Sequence, residues 1–291
     1  MPIRPNRTRT QTAGCLALCA GLAVGLAWTQ TRTNSYPWLQ SYDAAQSIDS
    51  RIPPPAGFER MTVSTGTFGD WLRGLPLKPG TPDILLFNGQ KKANQTAHAA
   101  VVDIDAGTQD LQQCADAIIR LKAEYEFSRL NFESIHFQFT SGDVVDFLRW
   151  TAGETPVVRD NRVSWVKSDP TDWSYANFRK YLNVIFQYAG SISLNREIVP
   201  VKDVQAMRIG DVFIRAGSPG HAVIVVDMAC DPQSGRRVFL LAQSFMPAQD
   251  VHILKNPQDS RLSPWYDIGF GSVLATPEWT FNIGELKRFA N

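Results

Sequence analysis

The sequence has few of the residues that metal and redox sites require. Its 291 residues include four cysteines and four histidines, and none of them forms a CxxC or HExxH motif, so a zinc site is not indicated. No glycine-rich stretch has the spacing of a phosphate-binding loop, since Gly107 stands alone before a predicted helix. We therefore expect neither a metal ion nor a cofactor.

An excess of charge of one sign is also lacking. Lys and Arg total 29 against 28 Asp and Glu, which gives a formal net charge of +1. Basic residues form no run beyond the first residues of the chain. Because clustered cations are what bind a phosphate backbone, a nucleic-acid partner is not expected.

No apolar run reaches the ~20 residues that span a bilayer. The longest begins at Ala13 and ends at Trp28, and Arg4, Arg7 and Arg9 precede it. This order is typical of a secretory signal peptide. We expect residues 1–30 to be a signal peptide or an uncleaved membrane anchor, which would be the chain's contact with a membrane. The folded body would then work in the periplasm or at the outer face of the membrane.

The remaining chain predicts a lead-in followed by one α+β domain. Residues 31–58 are polar and contain Pro53-Pro54-Pro55, which indicates a mostly extended segment at the surface with one short helix near residues 43–50. In residues 59–291, hydrophobic periodicity predicts helices over 68–75, 110–127, 143–150 and 174–188, and strands over 60–63, 83–87, 98–105, 134–139, 208–215, 220–228 and 237–245. Because closely spaced strands come late, we expect an antiparallel sheet with helices packed on one face.

The second predicted helix carries a cysteine on its buried side. Asp110 stands where an N-cap is expected. An apolar stripe follows at intervals of four, three and four residues, formed by Cys114, Ile118, Leu121 and Tyr125. Off this stripe are charged residues that predict a solvated face, namely Arg120, Lys122 and Glu124.

Cys114 and His221 are the candidate nucleophile and base. A thiol in the first turn of a helix has a lowered pKa, because backbone N–H groups and the helix dipole stabilise the thiolate. His221 enters an apolar strand behind Ser218-Pro219-Gly220, small residues that would leave room for a substrate. His98 is an alternative base.

A polar partner is expected to orient the imidazole of His221. A hairpin that turns near Gln233 would set Gln243 opposite Val223, on the sheet face that also carries His221. Gln249 and His252 are alternatives to Gln243. Two other interpretations of Cys114 stay open at this point: a small core residue, since free cysteine is often buried, and a disulfide with Cys230.

Part of this pattern resembles a known family. The pair Cys114-Ala115 at a helix start precedes Gly210-Asp211-Val212-Phe213-Ile214 and Gly220-His221-Ala222-Val223-Ile224-Val225 on successive strands. This order resembles the papain-like core of the NlpC/P60 and CHAP cell-wall amidases. The resemblance implies a papain-like fold and a cysteine nucleophile.

A second resemblance covers nearly the whole body. The segments that carry it are Leu111-Gln112-Gln113-Cys114-Ala115-Asp116, Phe137-Gln138-Phe139-Thr140-Ser141-Gly142-Asp143 and Leu241-Ala242-Gln243-Ser244-Phe245-Met246-Pro247-Ala248-Gln249. They resemble an exported bacterial family known as domain of unknown function 4846. That resemblance implies a bacterial envelope protein and no particular activity.

Together these observations predict a cysteine amidohydrolase or peptidase that acts on a peptide amide, with a peptide or peptidoglycan fragment as its partner. Cys114 would attack the carbonyl carbon, His221 would transfer the proton, and Gln243 would hold the ring. Helix-start N–H groups, with Gln109 or Gln113, would bind the oxyanion. The alternative is a non-catalytic envelope protein that binds wall fragments or a partner protein.

Overall fold

The computed structural model describes residues 35–160, 162–167 and 169–290. Residues from 35 onward belong to one compact unit. The predicted signal peptide or anchor, residues 1–30, lies outside the described residues. Within the described part, no helix combines the length and the apolar character that a membrane span requires.

The helices are short except for two. They are α1 (Ile48–Arg51), α2 (Phe68–Arg73), α3 (Cys114–Ser128), α4 (Phe147–Thr151), α5 (Tyr175–Tyr188) and α6 (Ser191–Glu197). Side-chain oxygens cap several of them, as when the Ser174 hydroxyl accepts the backbone N–H of Asn177 at the start of α5.

The strands all pair antiparallel. In chain order they are β1 (Glu59–Arg60), β2 (His98–Val101), β3 (His136–Gln138), β4 (Val144–Asp146), β5 (Glu154–Arg159), β6 (Arg162–Lys167), β7 (Ile198–Pro200), β8 (Val212–Arg215), β9 (His221–Cys230), β10 (Arg237–Gln243), β11 (His252–Leu254), β12 (Tyr266–Asp267), β13 (Val273–Ala275), β14 (Thr280–Asn282) and β15 (Leu286–Phe289).

One large sheet organises the described chain. Its strand order is β2-β11-β10-β9-β8-β15-β7, with β1 paired to β9 and β12 paired to β10. Strands β9 and β10 are its longest members and lie at its centre. Since both are buried along almost their whole length, they form the rigid base on which the candidate site is built.

The two faces of the sheet pack against different elements. Ile224 and Val226 of β9 face a core that contains Leu72 of α2, Ile118 of α3 and Leu182 of α5. The other face packs mainly against the C-terminal segments, because alternate residues of a strand point to opposite sides. The observed protein is therefore α+β with a large antiparallel sheet, as predicted.

Several local predictions differ from the structure. The lead-in is not confined to the surface, because Tyr36, Ile48 and Ile52 are buried in the core. Residues 83–87 form isolated bridges instead of a strand. Residues 143–150 divide between β4 and α4, and the carboxylate of Asp146 caps the helix at Arg149 N–H.

The prediction of a solvated face on α3 was wrong for two of its three residues. Arg120 and Glu124 are both fully buried and form an ion pair of 3.3 Å. Tyr175 of α5 donates a hydrogen bond of 2.7 Å to Glu124, and Asp105 accepts one of 2.8 Å from Arg120. A charged residue is tolerated in a core when such partners satisfy it.

Candidate active site

The start of α3 is held by the loop that follows β10. Asp110, the predicted N-cap, accepts the backbone N–H of Ala248 at 2.7 Å and the side-chain amide of Gln113 at 3.1 Å. The N-cap is Gln113, so the prediction of Asp110 as the N-cap was wrong by three residues. The helix begins at Cys114, and the carboxyl of Asp116 accepts the N–H of Gln113 at 3.2 Å. These contacts fix Cys114 as the first residue of the helix.

The sulfur of Cys114 lies against the entry of β9. Backbone N–H groups of Cys114, Ala115 and Ala222 lie near enough to the sulfur to act on its pKa. Ala222 is the residue that follows His221. Directly after β10, the Ser244 hydroxyl lies 3.2 Å from the carbonyl oxygen of Gln112. The beginning of α3 is thus packed against the beginning of β9 and the end of β10.

The thiol of Cys114 is in its protonated form at neutral pH. Burial raises its pKa to about 11, and the nearby carboxyl of Asp116 raises it further, while the surrounding N–H groups act in the opposite direction. Burial also raises the pKa of Asp116, to about 8. The prediction that a helix start lowers the thiol pKa omitted desolvation, which here outweighs the N–H groups.

Replacing Asp116 by asparagine is expected to lower the pKa of Cys114, because the change removes a negative charge that opposes the thiolate. The measurement is the pH dependence of iodoacetamide alkylation, followed by mass spectrometry of the Cys114 peptide. A shift of one pH unit in the midpoint would mean about a tenfold larger thiolate fraction below the pKa. Asp259→Asn, in a loop where Asp259 pairs with Arg261, is the control. An unchanged midpoint in Asp116→Asn would show that burial alone sets the thiol pKa.

His221 and Gln243 are hydrogen-bonded across β9 and β10. The distance from His221 Nε2 to Gln243 Oε1 is 2.8 Å. A β-bulge between Leu240 and Leu241 shifts the register, so that Ala242 pairs with Ile224 and Gln243 follows beside Val223. This is the pairing that the sequence predicted, and it puts both polar side chains on one face.

The amide of Gln243 is fixed on its nitrogen side as well. Its Nε2 lies 2.9 Å from Glu278 Oε2 and 3.2 Å from His252 Nε2. His252 Nδ1 lies 2.9 Å from the carbonyl oxygen of Asp250, so Nδ1 carries the proton of His252 and Nε2 accepts. The amide nitrogen of Gln243 therefore faces two acceptors, and its oxygen faces His221.

This arrangement determines the tautomer of His221. Since Gln243 Oε1 can only accept, Nε2 of His221 carries the proton and Nδ1 carries the lone pair. Burial lowers the pKa of His221 to about 4, although the hydrogen bond to Gln243 and the charge of Glu278 oppose that shift. At neutral pH the ring is therefore an uncharged proton acceptor.

Aromatic side chains enclose the imidazole of His221. Ring centroids of Phe245, Trp279 and Phe281 lie 4.7, 5.3 and 5.9 Å from its own. Among the hydrogen bonds of the described residues, none joins Cys114 Sγ directly to this ring. His221 lies on the sheet face of Val223 and Phe281, whereas α3, which begins with Cys114, packs on the face of Ala222 and Ile224. The side chains of Cys114 and His221 are therefore on opposite faces of the sheet, and the thiol reaches only the backbone of Ala222.

A groove of about 400 Å³ opens beside Cys114. Gly220 in its wall admits no side chain, since a Cβ there would lie 2.5 Å from Ser191 Oγ and 2.6 Å from the carbonyl oxygen of Gly217. Mainly small and uncharged residues line the groove together with Cys114: Asp110, Leu111, Gln113, Ala115, Asp116, Phe186, Gln187, Ala189, Gly190, Ser191, Gly217, Ser218, Pro219, Gly220 and Met246.

The structure separates the two predicted oxyanion donors. Gln113 lines the groove that contains Cys114, whereas Gln109 lines a separate cavity of about 20 Å³ beside Arg179. Two larger cavities, of about 510 and 990 Å³, are lined by none of the predicted site residues. Among the described residues there is no group of three or more His, Cys, Asp or Glu side chains that would hold a metal ion.

The alternative candidates make no direct hydrogen bond to His221 among the described residues. His252 contacts only Gln243 of this pair. His98 Nε2 contacts the carbonyl oxygen of Pro82 at 2.9 Å, and Gln249 Nε2 donates to the carbonyl oxygen of Pro247 at 2.9 Å. Cys114 and Cys230 are both free thiols. A disulfide between them is excluded because Cys230 ends β9, a strand ~30 Å long at ~3.3 Å per residue, while Cys114 lies at its beginning.

Sequence reasoning missed Glu278 as a residue of this site. It contacts Gln243 across 35 positions of sequence, from the loop between β13 and β14. No periodicity or motif marks it, so no signal in the sequence pointed to this contact.

A model of the family described as "Domain of unknown function (4846)" matches residues 48–288. The match includes every residue of the candidate site. Neither the curated proteins nor the solved structures contain a significant match to this chain.

Proposed function

Since the chain belongs to the family described as Domain of unknown function (4846), which specifies no activity, we propose from the site itself that the protein is a cysteine amidohydrolase or peptidase. Its substrate would be a peptide amide, in the cell wall if the N-terminal segment directs the chain out of the cytoplasm. The groove supports a peptide, because its amide, hydroxyl and backbone groups match the hydrogen-bonding groups of an extended chain.

The contact between the start of α3 and the entry of β9 is the observation that carries the proposal. The sulfur of Cys114 lies against Ala222, the residue that follows His221 on the strand. With Nε2–H of His221 donated to Gln243 Oε1 at 2.8 Å, the free lone pair is on Nδ1, and the ring lies on the other face of the sheet from Cys114. A cysteine on a helix start, a histidine on one strand and an amide on the next are the residue types of the papain-like arrangement that the sequence resembles, in which the nucleophile and the base must meet.

The reaction would begin with transfer of the thiol proton of Cys114 to Nδ1 of His221. The sulfur would bond to the substrate carbonyl carbon, whose oxygen becomes an oxyanion. Collapse of this intermediate would break the C–N bond, and the imidazolium would return its proton to the leaving amine. Water, deprotonated by the same imidazole, would then hydrolyse the thioester and release a carboxylic acid.

A neutral thiol and a neutral imidazole are the resting state of this site. The pKa of Cys114 is raised to about 11 and that of His221 is lowered to about 4, so the proton moves only when the thiol attacks. The N–H groups of Cys114 and Ala115 at the helix start, with the side chain of Gln113, would stabilise the oxyanion. For this step, the entry of β9 must rearrange when the substrate binds, so that the imidazole turns from the sheet face of Phe281 to the face of α3 and Nδ1 comes within hydrogen-bond reach of Sγ.

Alkylation with iodoacetamide tests the pair directly. We expect labelling of Cys114 in the folded protein to slow by about tenfold or more in His221→Ala, because the general base is lost. The thiol of Cys230 is the internal reference, and His136→Ala, which removes an exposed histidine, is the matched control. Equal labelling of Cys114 in wild type and His221→Ala, or labelling after denaturation only, would contradict the proposal.

A binding role for the same groove is the second candidate function. Two observations favour it: the ring of His221 and the helix that begins with Cys114 lie on opposite faces of the sheet, and Cys114 is buried, with only 7% of this residue exposed. In that case the groove would bind a wall fragment or a partner protein and Cys114 would be a packing residue. Cys114→Ala would then retain binding to muropeptides, measured by calorimetry, and the wild-type protein would leave them intact.

A further inference from the structure

A chain of polar contacts continues behind Gln243, away from His221. Glu278 accepts from the Gln243 amide through Oε2 at 2.9 Å, and its Oε1 forms an ion pair of 2.9 Å with Lys92 Nζ. Asn94 Nδ2 donates to the same Oε1 at 3.3 Å. Both members of the ion pair are largely buried, with side-chain exposures of 7% for Lys92 and 14% for Glu278.

Lys92 is anchored independently of Glu278. Its ammonium group lies 4.8 Å above the ring centroid of Phe245, and the same ring packs against the imidazole of His221. The cation–π contact and the ion pair together restrict Lys92 and therefore the carboxylate that it binds. The position of Glu278 is thus set by the framework around the site.

The carboxylate of Glu278 determines which end of the Gln243 amide it binds. A side-chain amide is nearly symmetric in shape, so its two ends are distinguished by the hydrogen bonds that they make. An ionised Glu278 can only accept, and it therefore binds the NH₂ end of Gln243. The opposite end, Oε1, is then directed at His221. Reversal of the amide would put Oε1 against the carboxylate and NH₂ against the Nε2–H of His221, with two repulsive contacts.

We propose that Glu278 is a positioning residue: held by Lys92, it fixes the amide of Gln243 and thereby keeps the lone pair of His221 on Nδ1. This inference rests on the proposed function, since it assigns to Glu278 a role in the reaction of Cys114. His252 Nε2, at 3.2 Å from the same amide nitrogen, is the second acceptor, so the loss of Glu278 would weaken this orientation without removing every contact that supports it.

The tautomer of His221 can be measured without a substrate. In the ¹⁵N spectrum of protein labelled at its histidines, Nδ1 and Nε2 of His221 are expected to show one tautomer, Nε2–H, in the wild type. Glu278→Ala is expected to introduce the Nδ1–H tautomer and to speed exchange of the Nε2 proton with water about tenfold, as a hydrogen bond of the amide is lost. Glu278→Gln, whose carbonyl oxygen can still accept, is expected to restore the wild-type pattern.

A matched control and a second variant keep this test decisive. Glu285→Ala removes another ion-paired glutamate, which binds Arg215 at 2.7 Å, and leaves the Gln243 contacts intact. If Glu278→Ala is unstable because Lys92 is left buried without a partner, the double variant Lys92→Met/Glu278→Ala removes both charges and is expected to show the same mixed tautomers. A single Nε2–H tautomer in folded Glu278→Ala, or in the double variant, would overturn the proposal.

Thiol labelling distinguishes the two proposals. In Glu278→Ala, alkylation of Cys114 is expected to slow about tenfold, with rescue in Glu278→Gln. If the tautomer changes while Cys114 labelling is insensitive to both Glu278 and His221, the positioning contact exists and the hydrolase proposal fails. If His221→Ala slows labelling and Glu278→Ala changes neither tautomer nor rate, the hydrolase proposal stands and the role of Glu278 is refuted.

Discussion

Replacing Cys114 by alanine is expected to reduce hydrolysis of peptide amides by about a thousandfold or more, because the variant has no atom that can form the thioester. Enzymes of this chemistry lose the greater part of their rate acceleration when either the nucleophile or its base is removed. The measurement is mass spectrometry of fragments released from purified cell-wall peptides by protein that lacks residues 1–30. His221→Ala is expected to cause a loss of the same order, and the double variant to be no worse than either single variant.

The other thiol provides the control for this experiment. Cys230 is a free cysteine at the end of β9, where its Sγ lies 3.5 Å from the carbonyl oxygen of Asp231. Cys230→Ala is expected to retain wild-type hydrolysis. Fragments released equally by wild type and Cys114→Ala would show that the chemistry is elsewhere. A complete absence of cleavage by the wild-type protein, with retained affinity for the same peptides, would favour the binding role of the groove.

Replacing His252 by glutamine is expected to make the protein less sensitive to acid. Burial lowers the pKa of His252 from 6.5 to about 3, so between these values the unfolded chain binds a proton that the folded protein does not. The contribution of this residue to the free energy of unfolding is therefore largest above pH 6.5 and declines as the pH falls below that value. The loss should reach about 3 kcal/mol by pH 4, since each pH unit contributes about 1.4 kcal/mol. Glutamine cannot take up this proton.

The comparison between the two proteins isolates His252 from other titrating groups. Asp116 and Glu197 change stability in the opposite direction, because burial raises their pKa values to about 8 and about 7, but both residues are common to wild type and variant. Denaturant unfolding at pH 7 and pH 4 gives the free energies of unfolding. We expect the free energy of unfolding of His252→Gln, relative to that of wild type, to be about 3 kcal/mol higher at pH 4 than at pH 7. His136→Gln, at an exposed position, should show no such change, and an unchanged difference for His252→Gln would contradict the account.

The pairing of His221 with Gln243 shows how far sequence patterns reach. Alternation along the two strands and the turn near Gln233 predict that both side chains share a face. The register, however, depends on the bulge between Leu240 and Leu241. Without this bulge, the pairing of β9 with the first residues of β10 would continue unshifted and turn Gln243 to the opposite face. A bulge is a local backbone choice that depends on packing from both sides of the sheet, and no residue pattern in the two strands specifies it.

Burial accounts for the predictions that were wrong. Arg120 and Glu124 have the positions of a solvated helix face, but α5 covers this face and supplies Tyr175 as a partner for Glu124. The same effect reverses the expected pKa of Cys114, because the strand entry at Ala222 and the carboxyl of Asp116 surround the thiol. A sequence pattern that predicts a helix start predicts which backbone N–H groups lie near a residue. It does not predict how far that residue is exposed to solvent.

The sequence by itself determined the class of fold, the central antiparallel strands, the helix that carries Cys114 in its first turn and the two polar residues that pair across the sheet. These follow from periodicity and turn chemistry, which act over a few residues. Tertiary structure alone decided which charges are buried, that Cys114 and Cys230 are separated by the length of β9, and that Glu278 and Lys92 support Gln243. Such contacts join residues that are far apart in sequence, and their energies depend on the solvent that packing removes.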